Sequence, residues 1–158
     1  MDLPWLSRWQ PYLLALLRIV TALLFLEHAT QKFFAFPVPF PVQPLPPVLV
    51  AAGVIELVAG ILVTIGLFTR LAAFIASGEM AVAYFKVHIH RSFFPINNRG
   101  DNVVLFCFVM LFLAFAGGGV WAIDYWLARC RRGIEARSPA LEPSTSPRPA
   151  AAIVRAME

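Results

Sequence analysis

The sequence predicts an all-α integral membrane protein, a four-helix bundle with a proline-rich loop between its first and second helices. Three observations predict it. Of the 158 residues, 59% are apolar and only 14% are charged, where a soluble domain is about half apolar and about a quarter charged. The mean hydropathy is +0.73. Four separate apolar stretches approach the roughly 20 residues that a helix needs to cross a bilayer core.

The first stretch runs from Tyr12 to Phe34. A secretory leader would have an apolar core of about 7–15 residues and a small-residue cleavage site. This run is longer and leads into FPVPFPVQPLPP, so it is read as an uncleaved helix. The next segment has six prolines in twelve residues, Phe36 to Pro47. Proline fixes φ and removes a backbone donor, so the segment is expected to be extended. With Phe36, Val38, Phe40, Val42 and Leu45, it either rests on the bilayer surface or folds back as a lid.

The second and third stretches, Pro47–Phe68 and Leu71–His88, are joined only by Thr69 and Arg70, which predicts a tight antiparallel hairpin. Gly66 is placed to help end the second helix. HRSFFPINNRGD reads as a polar loop broken by Pro95 and Gly100. The fourth stretch is Asn102–Ala122. Residues 1–132 then form the membrane domain, and the Pro, Ser, Ala and Arg-rich tail, 133–158, is expected to be disordered.

Orientation follows from the basic residues. Four spans put both termini on one side, with Arg8, Arg70, Arg129, Arg131, Arg132 and Arg137. The opposite side has Lys32, Lys86, Arg91 and Arg99. The positive-inside rule places the termini in the cytoplasm. Trp5, Trp9 and Tyr12 flank the first span at the side where Trp121, Tyr125 and Trp126 flank the fourth, which suits one interfacial belt on that side.

The net charge of +4 brings no basic patch with interleaved aromatics, so nothing indicates a nucleic-acid partner. The lipid bilayer is the expected partner, with a soluble or membrane oxidoreductase subunit or a second copy of the chain as further candidates. Cys107 and Cys130 would stand about 34 Å apart on a continuous helix, too far for a bridge. No CxxC occurs. Glu27–His28 and His88-x-His90 differ from the Glu-x-x-His pattern of carboxylate metal bundles, so no metal site is expected. His28 and His88 invite comparison with haem ligands, but no attachment motif is present.

The informative residues are the ionisable ones. Each span carries an acid within or at its edge: Glu27, Glu56, Glu79 and Asp101. Such groups cost roughly 2.5–3.5 kcal/mol each at the centre of an inserted helix and normally face the bundle interior. Gly53, Glu56, Gly60 and Thr64 share one helical face. Ala72, Ala76, Glu79, Ala83 and Lys86 share another. Small residues around a carboxylate predict helix–helix contact there. Glu27, His28, Lys32, His88 and Asp101 fall in the non-cytoplasmic half, with Glu56 near the midplane.

Two readings follow. In one, these residues only set helix registry, through Lys32 with Glu27 or Asp101 and Glu79 with Lys86 or Arg18. In the other, Glu27, His28, Lys32, Glu56, His88 and Asp101 line a polar pocket. A carboxylate beside a histidine can exchange protons near neutral pH, as quinone reduction requires. Arg18, Thr69, Arg70, Glu79 and Lys86 are then structural. No flavin, haem or iron–sulfur motif is encoded, and quinone is the cofactor the pattern admits.

Several blocks carry a resemblance: FLEHATQKFFAF, AGVIELVAGILVTIGLFTRLAAF, GEMAVAYFKVH and FFPINNRGDNVVLFCFVMLFLAFAGGGVWAID. Together, over about Leu17 to Asp124, they resemble the DoxX family of small four-helix membrane proteins. The block from Glu56 through Gly60, Gly66 and Thr69 to Arg70 is the most distinctive. The family usually has glycine after the first-helix histidine, where this chain has Ala29. It has glutamate where this chain has Asp101, and commonly a small residue in place of Arg99. The resemblance implies a multi-pass protein of the bacterial inner membrane, related to the membrane subunit of a thiosulfate:quinone oxidoreductase. The expected function is a quinone-linked or redox-associated membrane subunit. The alternatives are a non-catalytic anchor for a soluble oxidoreductase, and a small transporter or proton path, toward which Gly78 inside the third helix points.

Overall fold

The computed structural model describes residues 4–135. Every regular element among them is helical: α1 (Pro4–Ser7), α2 (Gln10–Phe34), α3 (Pro47–Ile65), α4 (Thr69–Ala83), α5 (Pro95–Asn98), α6 (Asp101–Ala116) and α7 (Ile123–Glu135). A single π-helical turn, Tyr84–His88, prolongs α4. The expected disordered tail lies outside the described residues, apart from 133–135, which are the end of α7.

Within the compact unit ending at Ala128, α2 packs on α3, α3 on α4 and α4 on α6, with lighter contact between α2 and α6. The core is made of small residues: Ala15, Ala22, Ala29, Ala59, Ala72, Ala73 and Ala76 are buried, with Phe25, Val63, Met110 and Leu113 between them. Gly53 lies against Phe33, and Gly60 against Leu26. These contacts bring the backbones of α2 and α3 close together, as small residues do between membrane helices.

The outer surface is the reverse of a soluble protein's. Leu13, Leu16, Leu17, Val20, Leu23 and Leu24 on α2 and Val54, Val58, Ile61 and Ile65 on α3 are exposed, while Arg18, Lys32 and Glu56 are buried. A continuous apolar exterior of this kind suits hydrocarbon, not water. The segment Trp5–Phe34 and α3 are each long and apolar enough to span a membrane, and α6 is a shorter apolar helix.

Helix boundaries differ from the expected spans for local reasons. α3 stops at Ile65 because Gly66 takes a left-handed φ of 74°, which only glycine adopts freely. Its N–H returns to Leu62 O and Val63 O, and the Leu67 N–H to Leu62 O, satisfying carbonyls at the helix end. The α3–α4 turn is therefore Gly66–Phe68, and Thr69–Arg70 open α4 instead of forming the turn. α6 ends at Ala116, short of the expected Ala122, because Gly117 and Gly119 take φ of 87° and 74°. The chain then folds under the α3–α4 turn, where the Asp124 N–H donates to Gly66 O at 2.9 Å. This return brings the two aromatic groups together, with Tyr12 and Trp121 rings 6.0 Å apart.

Candidate functional site

The buried stripe of α2 contains Ala15, Arg18, Ala22, Phe25, Ala29 and Lys32, the three- and four-residue steps of one helical face. Both of its charges point into the protein, and they serve different ends of it.

Lys32 reaches Glu56. Its Nζ donates to Oε1 at 2.6 Å and to Oε2 at 2.5 Å, and both side chains are buried. Glu56 is the tenth of the nineteen residues of α3, so it lies about 13 Å from either end of that helix. The registry pairings expected for Lys32, with Glu27 or Asp101, are not made. Burial of α2 is centred on Phe25, Ala29 and Lys32, and Glu27 stands about 200° round from Phe25 at 100° per residue. Glu27 is accordingly exposed. It lines a shallow cleft of about 190 Å³ with His28, Gln31 and Pro37.

His28 bridges the two regions. Its Nδ1 is 3.1 Å from Leu24 O, its ring meets Phe106 edge-on with centroids 5.5 Å apart, and it lies within electrostatic range of Glu56. Glu79, on the neighbouring α4, is within range of both Glu56 and Lys32. Its Oε2 is buried with no hydrogen-bond partner among the described residues. Glu79 thus lies near the Lys32–Glu56 pair, and the pairing with Lys86 or Arg18 that the sequence suggests is not made among the described residues. Lys86 is exposed, because the π turn adds a residue per turn and rotates it off the Glu79 face.

The proline-rich loop reaches this cluster at Lys32. The Thr30 hydroxyl donates to Phe36 O at 2.9 Å, and the Phe36 N–H returns to Thr30 O. The peptides Phe36–Pro37 and Gln43–Pro44 are cis. Phe40 folds back so that its ring centroid lies 5.7 Å from Lys32 Nζ, a cation–π contact. Phe40 thus turns inward, while Phe36, Val38 and Val42 stay exposed.

His88 and Asp101 make no hydrogen bond or ion pair with Lys32, Glu56 or Glu79 among the described residues. His88 Nδ1 is 3.0 Å from Asn98 O, and its ring stacks on Tyr84. Asn98 is buried and donates to Ser92 O at 2.7 Å. Asp101 is exposed in the first turn of α6, where the positive end of the helix dipole favours an acid.

At the other end of α2, Arg18 is completely buried. Its guanidinium donates to Gly118 O at 2.8 Å, Val63 O at 2.5 Å, Thr64 O at 2.6 Å and Trp121 O at 3.1 Å. It is a clamp for carbonyls at the ends of α3 and α6. Asp124 completes that end: Oδ1 accepts the Phe68 N–H at 2.9 Å and Oδ2 the Thr69 N–H at 2.8 Å, capping α4. Neither role was visible in the sequence. The nearest signals were a charged residue on the alanine stripe of α2 and an acid three positions beyond Trp121.

An all-helical protein with an apolar exterior and a buried cluster of ionisable side chains is a membrane protein. The chain belongs to the DoxX family: that family's model matches residues 13–89. The chain is also 46% identical over 125 residues to an uncharacterized protein of Haemophilus influenzae, covering 75% of this chain and 93% of the relative. No solved structure matches the chain.

Proposed function

We propose that this protein is a multi-pass protein of the bacterial inner membrane and a quinone-linked subunit of an oxidoreductase assembly. Its four long helical segments, α2, α3, α4 with its π turn, and α6, cross the bilayer with both termini cytoplasmic. The observation that carries the functional reading is the Lys32–Glu56 pair beside Glu79, whose Oε2 is buried without a hydrogen-bond partner among the described residues. Ionisable groups at this depth are costly, and membrane proteins keep them where protons or ligands are handled.

Reducing a quinone to a quinol takes two electrons and two protons. In this reading, the Lys32 ammonium donates a hydrogen bond to one quinone oxygen, and the Glu56 and Glu79 carboxyls pass protons to the headgroup. Phe40 lies over the ammonium and limits entry of water. Electrons come from a partner subunit carrying the reductant. The ring of Phe106, edge-on to His28, offers an apolar wall on the same side.

A second reading, a non-catalytic anchor for a soluble oxidoreductase, is favoured by the closure of the Lys32–Glu56 pair on itself, both oxygens meeting one nitrogen. The two are separated by titrating the purified protein with a quinone analogue and following tryptophan fluorescence. The redox reading expects saturable binding weakened at least tenfold by Glu79→Gln and Lys32→Met. Binding unchanged in both variants removes it. Co-purification of a soluble oxidoreductase without quinone binding supports the anchor.

A further inference from the structure

A second cavity, of about 330 Å³, lies where the chain turns back after α6. Its polar wall is formed by Arg70, Gly117, Gly118, Gly119, Asp124 and Tyr125, and Leu14 of α2 lies on its apolar side. Gly117 faces Arg70: a β-carbon there would stand 3.6 Å from Nη2 and 3.7 Å from Nε. The guanidinium therefore runs beside the glycine turn, at the mouth of the cavity, while Arg70 as a residue is exposed.

Among the described residues, the charges lining this cavity leave one cation, Arg70, in excess. Asp124 uses both oxygens on the Phe68 and Thr69 N–H groups and lies within electrostatic range of Arg18. Arg18 is occupied by four carbonyls. Arg70 makes no hydrogen bond or ion pair among the described residues. The N–H groups of Gly118 and Gly119 donate to no backbone carbonyl among them. Behind Gly118, the Thr69 hydroxyl is buried without a hydrogen-bond partner among the described residues, 2.9 Å from where a Gly118 β-carbon would be. Donors thus outnumber acceptors on this wall.

Depth narrows the occupant. The cavity sits at the ends of α3 and α6 and the start of α4, beside Tyr125 and the packed Tyr12–Trp121 pair. Exposed Trp9, Trp121 and Trp126 surround this end. Aromatic residues of this kind mark headgroup depth. An anion at that level, next to an apolar wall, is the phosphate of a lipid. Guanidinium groups bind phosphate oxygens through paired N–H donors.

We infer that the cavity between Arg70 and the Gly117–Gly119 turn is a phosphate-group site that holds the headgroup of an anionic phospholipid. The inference is independent of the quinone reading, which concerns the opposite end of α2.

The test is native mass spectrometry of the full chain in mild detergent, titrated with phosphatidylglycerol or phosphatidylcholine, alongside thermal melts with inorganic phosphate. Phosphatidylglycerol is expected to bind at least fivefold more tightly to the natural chain than to Arg70→Gln. Arg70→Lys should fall between them and Arg129→Gln should match the natural chain. Val120→Asp, which adds a carboxylate to the cavity wall, should weaken binding as Arg70→Gln does. Stabilisation by inorganic phosphate that disappears in Arg70→Gln also supports the site, with free phosphate as its source. Equal phosphatidylglycerol binding by the natural chain and both folded variants, with no Arg70-dependent phosphate effect, overturns the inference.

Discussion

Lys32 grips both oxygens of Glu56 at the middle residue of α3, from a position two residues before the end of α2. Two charges taken out of water must each find their compensation in the other, because neither reaches a different charged partner at hydrogen-bonding distance among the described residues.

Removing one partner is therefore expected to be worse than removing both. Glu56→Gln or Lys32→Met leaves a charge buried and unpaired, at a cost of about 3–5 kcal/mol. The double variant Lys32→Met/Glu56→Leu should recover most of that loss. Thermal melting of the four proteins in one detergent, followed by size-exclusion chromatography, checks the cycle. Additive losses would contradict the pairing.

Arg18 predicts a second asymmetry. Arg18→Met strands the carbonyls of Thr64, Gly118 and Trp121 and leaves Val63 O with the Gly66 N–H alone. A fully buried unsatisfied group costs about 1–3 kcal/mol, and with these only partly buried a total of about 2–4 kcal/mol is expected. Arg18→Lys keeps a cation but cannot fork across several acceptors, so it should recover only part of the loss. Melting temperatures of the two variants should be well separated.

Asp124 should behave as a helix cap acting from far along the chain. Asp124→Ala removes the acceptors for the Phe68 and Thr69 N–H groups, and about 1–2 kcal/mol is expected from caps of this kind. Asp124→Asn keeps one acceptor and should lose less. Hydrogen exchange at Phe68–Ala72 should rise in Asp124→Ala before exchange at α2 does.

The glycines divide by what lies opposite them. A β-carbon at Gly60 would stand 2.6 Å from Leu26 Cγ, so Gly60→Ala should overpack the α2–α3 contact by about 1–3 kcal/mol. A β-carbon at Gly78 meets nothing within 4 Å. Gly78→Ala should raise stability by about 0.5–1 kcal/mol through helix propensity. A broken helix at Gly78, as a transport path would use, would reverse that sign. Melting curves of the pair decide it.

Phe40 is expected to shield Lys32. In the Lys32→Cys background, labelling by a water-soluble maleimide should be slow and should speed up at least severalfold when Phe40→Ala is added. Equal rates would show that the loop leaves the site open.

Much of this arrangement was legible in the sequence. Apolar runs long enough to span a bilayer, prolines at Phe36–Pro47 and the small-residue face of Gly53, Glu56 and Gly60 follow from chain chemistry alone. Residue spacing also kept Glu56 on a buried face, because 3.6-residue periodicity is a property of one helix. What spacing within single helices cannot supply is which side chain of another helix arrives opposite. Lys32 was assigned to Glu27 or Asp101, since nothing local announces that α2 and α3 lie in a register bringing Lys32 to Glu56. Spacing offers Glu79 either Lys86, which a π turn rotates away, or Arg18, which turns to backbone carbonyls instead. Arg18 and Asp124 were unreadable because their partners are backbone groups exposed by helix ends, and those ends were set by Gly66 and Gly117 only once the chain had turned. The sequence by itself determined a lipid-soluble helical protein with charges that must be buried. The tertiary structure alone decided which charges meet, because pairing depends on the relative rotation and depth of packed helices, and those are fixed by how closely Gly53, Gly60 and the alanine stripes let the backbones approach.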